Sequence, residues 1–252
     1  MSIMAARGDR TLRATVEVFV SQCHALVGAQ SRLDQAARAR MVVLLDDVLA
    51  ATASPTTARP QPWASLLNHR SAGSAHLDEM TVELASSTRP DPLGRLCASR
   101  TAVLAAELQG QLPACMSNPF GNSGIVDYLR ATLLELAVLA ATAEAQALQP
   151  TALRTSVRAL SQALGERFAG HTIEVRIPLA SAVQLSAFGQ GPTHTRGTPP
   201  NVVETDERTW LELGTGLLTL GDGVEQARVL ASGAQAMALG RMLPVIDLSR
   251  LG

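Results

Sequence analysis

The chain has 252 residues, a formal net charge of −1 and a hydrophobic fraction of 46%, which suits a folded chain with a sizeable core and room for two domains. Balanced charge leaves no electrostatic footprint for nucleic acid or an anionic membrane, and 3% aromatic residues make no stacking platform for single-stranded nucleic acid. All 21 basic residues are arginine, which excludes Schiff-base chemistry on lysine and a phosphate-loop lysine.

In chain order, residues 9–52 place Leu12, Val16, Phe19, Val20, Leu26 and Val27 at helical spacing, and "ARARMVVLLDDVLAA" repeats the pattern. Both predict amphipathic helices. "TASPTTARPQP" holds three prolines and predicts a loop. "WASLLNHRSAGSAHLDEMTVELASS" predicts a helix with a weak point at Gly73, and "RLCASRTAVLAAELQGQL" another. "PACMSNPFGNSG" reads as a loop. "YLRATLLELAVLAATAEAQAL" then reads as a core helix ending before Pro150; Glu135 and Glu144 interrupt it as a membrane span. Helices joined by Pro-rich loops make an up-and-down four-helix bundle over residues 1–149.

After Pro150 the pattern changes. "TALRTSVRALSQALGERFAG" predicts one helix. "HTIEVRIP" alternates, with Ile173, Val175 and Ile177 on one side and Glu174 and Arg176 on the other, so it reads as a half-buried strand. "SAVQLSAF", "NVVET" and "RVLASG" predict further strands. "DERTWLELGTG" predicts a short helix capped by Asp206 and closed by glycine, "TLGDGVEQA" another, and "AQAMALGRMLPVI" an apolar closing helix. Residues 150–252 therefore read as a small sheet with helices on one face, and the chain as a two-domain α+β protein.

The run "GPTHTRGTPPNVVETDERTWLELGTG", between two strands and the closing segment, resembles the bacterial sterol-carrier-protein-like (SCP2-type) domain, over about Leu153 to Ile246. The resemblance implies a curved sheet and helices enclosing an apolar tunnel that holds a lipid tail. The lining candidates are Ile173, Val175, Ile177, Val183, Leu185, Trp210, Leu213, Met237, Leu239 and Met242. Ligand pockets are mostly apolar, and methionines adapt to variable shapes. An ordinary solid core would have the same sequence pattern. The motif loop carries His194, Arg196, Gly197, Pro199, Pro200, Asn201 and Glu204. Gly197 permits a turn and the two prolines hold an extended backbone. Arg196 is expected to tie the loop to backbone carbonyls or to Glu204, and no nucleophile with base and orienting acid is arranged there.

"VDYLRATLLELAVLAA" is similar to a helix in the DinB-like bundle of mycothiol-dependent maleylpyruvate isomerases. In that family the helix carries a Glu and, four residues on, a His that ligate a divalent metal, with another His from the end of the second helix. Glu135 occupies the Glu position; Leu139 stands for the first His, and Asp46 or Asp47 for the second. Leu139 has no donor, and a carboxylate pair without imidazole does not assemble the usual zinc centre. Glu135 is therefore expected in an ion pair with an arginine, Arg130 or Arg158, and no metal and no catalytic residue are assigned. His69 and His76, seven apart, read as solvated helix positions. His24 points about 100° from Cys23 on a helix, so the two make no nucleophilic pair, and His171 reads as a surface residue.

Cys23, Cys97 and Cys115 are odd in number and lack C-x-x-C spacing, as for reduced thiols in a cytoplasmic protein. "MSIMAARGDR" lacks the apolar core of a signal peptide. The expectation is a non-enzymatic carrier of an apolar or amphipathic small molecule, without cofactor, nucleic-acid partner or membrane span. The alternative is a mycothiol-dependent transferase or isomerase using zinc in the bundle. The sequence does not address oligomeric state.

Overall fold

A computed structural model describes residues 3–143, 147–189 and 200–251. The chain divides into two compact units, residues 1–152 and 153–250.

The first unit is helical: α1 (Ile3–Gly28), α2 (Gln35–Thr52), α3 (Trp63–Ala72), α4 (Ser74–Ser87), α5 (Pro90–Glu107) and α6 (Ile125–Ala143). Asp34 caps α2, its carboxylate accepting from the Ala37 amide at 2.7 Å, and Pro90 opens α5, where a missing N–H costs nothing. α6 is buried from Ala131 to Ala141, as expected of a helix apolar all round. α2 packs against α4, α5 and α6, and α1 against α5 and α6. The weak point at Gly73 is a break between α3 and α4, where a Cβ would stand 3.1 Å from the Phe120 ring.

The stretch expected as a loop after α5 contains a hairpin, β1 (Cys115–Asn118) paired antiparallel with β2 (Gly121–Gly124). Asn118 builds its turn: its Oδ1 accepts from the Phe120 amide at 3.0 Å and its Nδ2 donates to Ser123 Oγ at 3.1 Å. Gly121 supplies φ 109°. These strands lack apolar alternation, so the sequence pattern misses them; the first is held partly by a bridge from Met116 to Pro55.

The second unit comprises most of α7 (Pro150–Arg167), then β3 (Ala169–Ile177), β4 (Ser181–Leu185), β5 (Asn201–Thr205), α8 (Glu207–Thr215), α9 (Leu220–Glu225) and β6 (Val229–Ser232). The sheet order is β4-β3-β5-β6, with β3 and β5 parallel and the outer pairs antiparallel. One cross-strand row runs Val183–Val175–Val203–Ala231, and another Ala182–Arg176–Glu204–Leu230. The first turns inward at its two central strands: Val175 and Val203 are fully buried while Arg176 and Glu204 are half-exposed. Leu160 of α7 lies against Gly214 of α8, where a Cβ would approach it to 2.8 Å. Val183 of β4 lies against Gly165 of α7.

Asp206 caps α8 through the amides of Arg208 and Thr209 at 2.8 and 2.9 Å, and Gly216 closes it at φ 81°. The closing segment is not the expected helix. It forms a 3-10 turn, Ala236–Arg241, and then lies along the end of α8: Val245 N and Ile246 N donate to Gly214 O, and Leu248 N to Thr215 O. Helix-end carbonyls need donors, and the extended segment supplies them.

Candidate functional site

The bundle core holds a buried charged cluster around Glu135. Glu135, Arg40 and Arg70 are each 1% exposed. Arg40 Nη2 and Nε donate to Glu135 Oε2 at 2.6 and 3.2 Å, and Arg70 Nε donates to Oε1 at 2.6 Å. Arg40 Nη1 reaches on to Asp78 at 2.7 Å. Asp47 Oδ2 lies 3.5 Å from Arg70 Nη1 and accepts from the Tyr128 hydroxyl at 2.6 Å. The residues come from four helices, α2 (Arg40, Asp47), α3 (Arg70), α4 (Asp78) and α6 (Tyr128, Glu135).

Neither Nη atom of Arg70 has a hydrogen-bond partner among the described residues. Aromatic faces take that place: the guanidinium carbon is 4.9 Å from the Phe120 centroid and 5.3 Å from that of Tyr128, close enough for cation–π attraction. Burial by itself would raise the Glu135 carboxyl, but Arg70 and Arg40 outweigh it and hold it below the ordinary value. Desolvation works against the Arg70 charge, while Glu135, Tyr128 and Asp47 push its pKa up. Burial chiefly raises the Tyr128 phenol.

These partners differ from the expected ones. Arg130 instead pairs with Asp127 at 3.2 Å and lies over the Trp63 ring, and Arg158 donates to the Ala180 carbonyl. Arg40 and Asp47 sit seven apart on α2, on one face with Leu44 between. Charges on a buried helical stripe were the readable signal.

The cluster does not fit a divalent cation. Glu135 spends both oxygens on guanidinium groups, a bound dication would sit against two buried positive charges, and Leu139 offers no donor. Asp46 pairs with Arg100 at 2.7 Å on the surface, and burial raises its carboxyl. No group of three or more His, Cys, Asp or Glu residues among those described could hold a metal. His69 and His76 are both exposed, on α3 and α4, and His69 meets Gln61 at 2.7 Å. His24 is exposed beside a buried Cys23, and exposed His171 meets Gln184. All three cysteines are free; burial pushes Cys97 up to about 11.

In the second unit, Ile173, Val175, Ile177, Leu185, Trp210, Leu213, Leu239 and Met242 are all buried. Seven of them expose 1% or less, so no water-sized space touches them; they form a packed layer between sheet and helices. Val183 is half-buried. Met237 does not join this layer: it is 50% exposed, because the 3-10 turn repeats every three residues and turns Ala236, Leu239 and Met242 inward instead. The Trp210 indole nitrogen has no hydrogen-bond partner among the described residues.

Of the motif loop, His194, Arg196, Gly197 and Pro199 lie outside the described residues. Pro200 is exposed and Glu204 half-buried on the outer sheet face. Asn201 has a definite structural task. It is 3% exposed, its Nδ2 donates to Thr172 O at 2.8 Å, and its Oδ1 accepts from Gln235 N at 2.8 Å, so it ties β3, β5 and the closing segment together.

A helical unit followed by a mixed four-stranded sheet with covering helices makes a mixed α+β protein of two compact units. Residues 149–245 match the model of the family described as bacterial SCP ortholog. The fold is similar to solved structures of the mycothiol-dependent maleylpyruvate isomerase. A point mutant of that enzyme matches with TM-score 0.53 at 12% identity, over 88% of this chain and 92% of the other. A second structure of the enzyme matches with TM-score 0.50 at 13% identity, over 81% and 89%. No curated protein sequence matches the chain.

Proposed function

We propose that the chain binds or carries an apolar or amphipathic small molecule, lipid-like in character, through its C-terminal domain, without catalysis and without a cofactor, in the cytoplasm. The family match over residues 149–245 carries this reading. The apolar layer between sheet and helices is its binding region, with Ile173, Val175, Leu185, Trp210, Leu213 and Leu239 against the ligand. Because those side chains are closed on one another, the ligand enters by parting the layer, and the adaptable thioether of Met242 suits such repacking. The orphaned Trp210 N–H is a donor that a ligand oxygen would satisfy.

The fold likeness to a mycothiol-dependent isomerase favours a second reading, a thiol- and metal-dependent transferase or isomerase using the bundle. The engagement of Glu135 by Arg40 and Arg70 weighs against it, since both carboxylate oxygens already accept from buried guanidinium groups.

Native mass spectrometry of freshly purified protein tests the first reading, with a fluorescent fatty acyl probe read against Trp210 emission in a Trp63→Phe background. Co-purified lipid, or saturable quenching at micromolar probe, is expected, with zinc well below one per chain. One tightly bound zinc per chain with no binding of acyl, sterol or polyketide-like probes would transfer the case to the enzyme reading.

A further inference from the structure

The buried hydroxyls of Ser161, Thr205, Thr209 and Thr215 in the second unit all reach acceptors. Ser161 Oγ donates to Val157 O at 2.9 Å and Thr215 Oγ1 to Leu211 O at 2.6 Å, each one turn back along its own helix. Thr205 Oγ1 donates to Arg228 O at 3.0 Å, and Thr209 Oγ1 to the Asp206 carboxylate at 2.6 Å. Trp210 on α8 breaks the pattern. It is 0% exposed, and its indole nitrogen is shut off from solvent without an acceptor among the described residues. Ser156 Oγ is also unpaired, but a hydroxyl turns about a single bond, and a helical serine has the carbonyl one turn back within reach. The indole N–H has no such freedom: it lies in the ring plane and only donates. A buried donor left unmade needs a reason.

The surroundings decide which acceptor fits. The charges of α8 stand away from Trp210: Arg208 and Glu212 are each two residues from it, about 200° around the helix. Glu212 accepts from Arg208 at 3.2 Å and pairs with Arg228. Arg154, near the start of α8, has a side chain 46% exposed and pairs with Glu207 at 3.1 Å. The neighbours of Trp210 along the helix, Leu211 and Leu213, are 0% exposed. A carboxylate brought to the indole would be a buried anion facing one neutral donor, with the nearby guanidinium groups already held by glutamates. Burial without a counter-ion costs an ion far more than a neutral group. An ammonium would set donor against donor. A ketone or ester carbonyl accepts the indole N–H and brings no donor of its own to strand.

We infer that the ligand is uncharged and carries a ketone or ester carbonyl that accepts from Trp210 Nε1 inside the apolar layer, a chemistry that rests on the carrier reading above. Its hydrocarbon part lies among Val175, Leu213 and Leu239, and free carboxylates and amines of the same length are rejected at the indole.

The full chain in a Trp63→Phe background gives one indole N–H resonance, that of Trp210. It is titrated with twelve-carbon probes alike but for the head group: the alkane, the methyl ketone, the carboxylate and the amine. The ketone is expected to move the indole proton downfield and to bind about tenfold more tightly than the carboxylate or the amine, and the alkane to bind without that downfield shift. In Trp210→Phe the ratio of ketone to alkane affinity should fall about tenfold, the alkane serving as the control for packing. The indole shift in the Trp63→Phe chain decides the matter even where Trp210→Phe does not fold. Carboxylate binding as tight as the ketone, an unmoved indole proton in the ketone complex, or an affinity ratio that survives Trp210→Phe would overturn the inference and leave the carrier reading standing. Binding of none of the four probes would overturn the carrier reading and the inference with it.

Discussion

The two units solve the problem of a core in opposite ways. In the bundle, the centre is ionic: two guanidinium groups, a glutamate, an aspartate and a phenol lie among aliphatic helices, paired through Glu135 and Asp47, with aromatic faces rather than acceptors against the outer nitrogens of Arg70. In the sheet domain the centre is aliphatic, and polar groups work at its margins, Asn201 tying strands to the closing segment and Asp206 capping α8. A buried ion pair is weak evidence for stability in itself, because desolvation offsets most of the attraction, yet breaking one partner out of it is expensive. The first core is therefore brittle to single changes of charge, and the second to loss of volume or of a staple.

Breaking the ionic centre gives the largest expected effect. Glu135→Ala leaves two buried positive charges without their main counter-ion and should cost the bundle roughly 3–5 kcal/mol. Trp63 lies in the first unit and Trp210 in the second, both buried. Denaturation followed by Trp63 emission in a Trp210→Phe background isolates the loss; a midpoint within error of the parent would show that the cluster is solvated.

Asn201→Ala is the matching cut in the second unit. It strands the buried Thr172 O and the part-buried Gln235 N and should cost about 2–6 kcal/mol, taking two unmade hydrogen bonds at ~1–3 kcal/mol each. Trp210 emission in a Trp63→Phe background reads it, and an equal shift in Trp63 would show that the two cores do not respond separately.

Acid sharpens the contrast further. The Glu135 carboxyl is held below its ordinary value of 4.5 in the folded chain. Its contribution is complete above that value and is lost as pH falls below it towards the depressed folded value, since the unfolded chain takes up the proton first. Bundle stability should fall in that acid window, and Glu135→Gln should flatten the fall; an unchanged slope would remove Glu135 as its cause. The smallest effect belongs to the surface. Arg100 and Asp46, 39% and 40% exposed, pair at 2.7 Å, and Arg100→Ala should move stability by only ~0–1 kcal/mol.

The helices of the bundle, the change of pattern near Pro150, the strand alternation of Ile173, Val175 and Ile177, and the cap at Asp206 were all legible in the sequence. Each depends on spacing within one segment, and local spacing is what a linear pattern records. That Leu139 stands where a histidine ligand would be expected came from the resemblance to the isomerase bundle, not from spacing. The partners of Glu135 were not legible: Arg40 is 95 residues away and Arg70 is 65, and which arginine reaches a buried carboxylate is decided by how helices pack. The hairpin at Cys115–Gly124 escaped because its strands are short and its pairing includes distant Pro55. The closing segment carries helix-forming residues but coils as a 3-10 turn, whose three-residue repeat leaves Met237 in solvent and Leu239 inward, and then answers the carbonyls at the end of α8. Composition and periodicity set which segments are apolar and how they coil; only the tertiary structure chose, among chemically equivalent side chains, which charges meet and which carbonyls are answered, because those choices depend on distances between segments far apart in the chain.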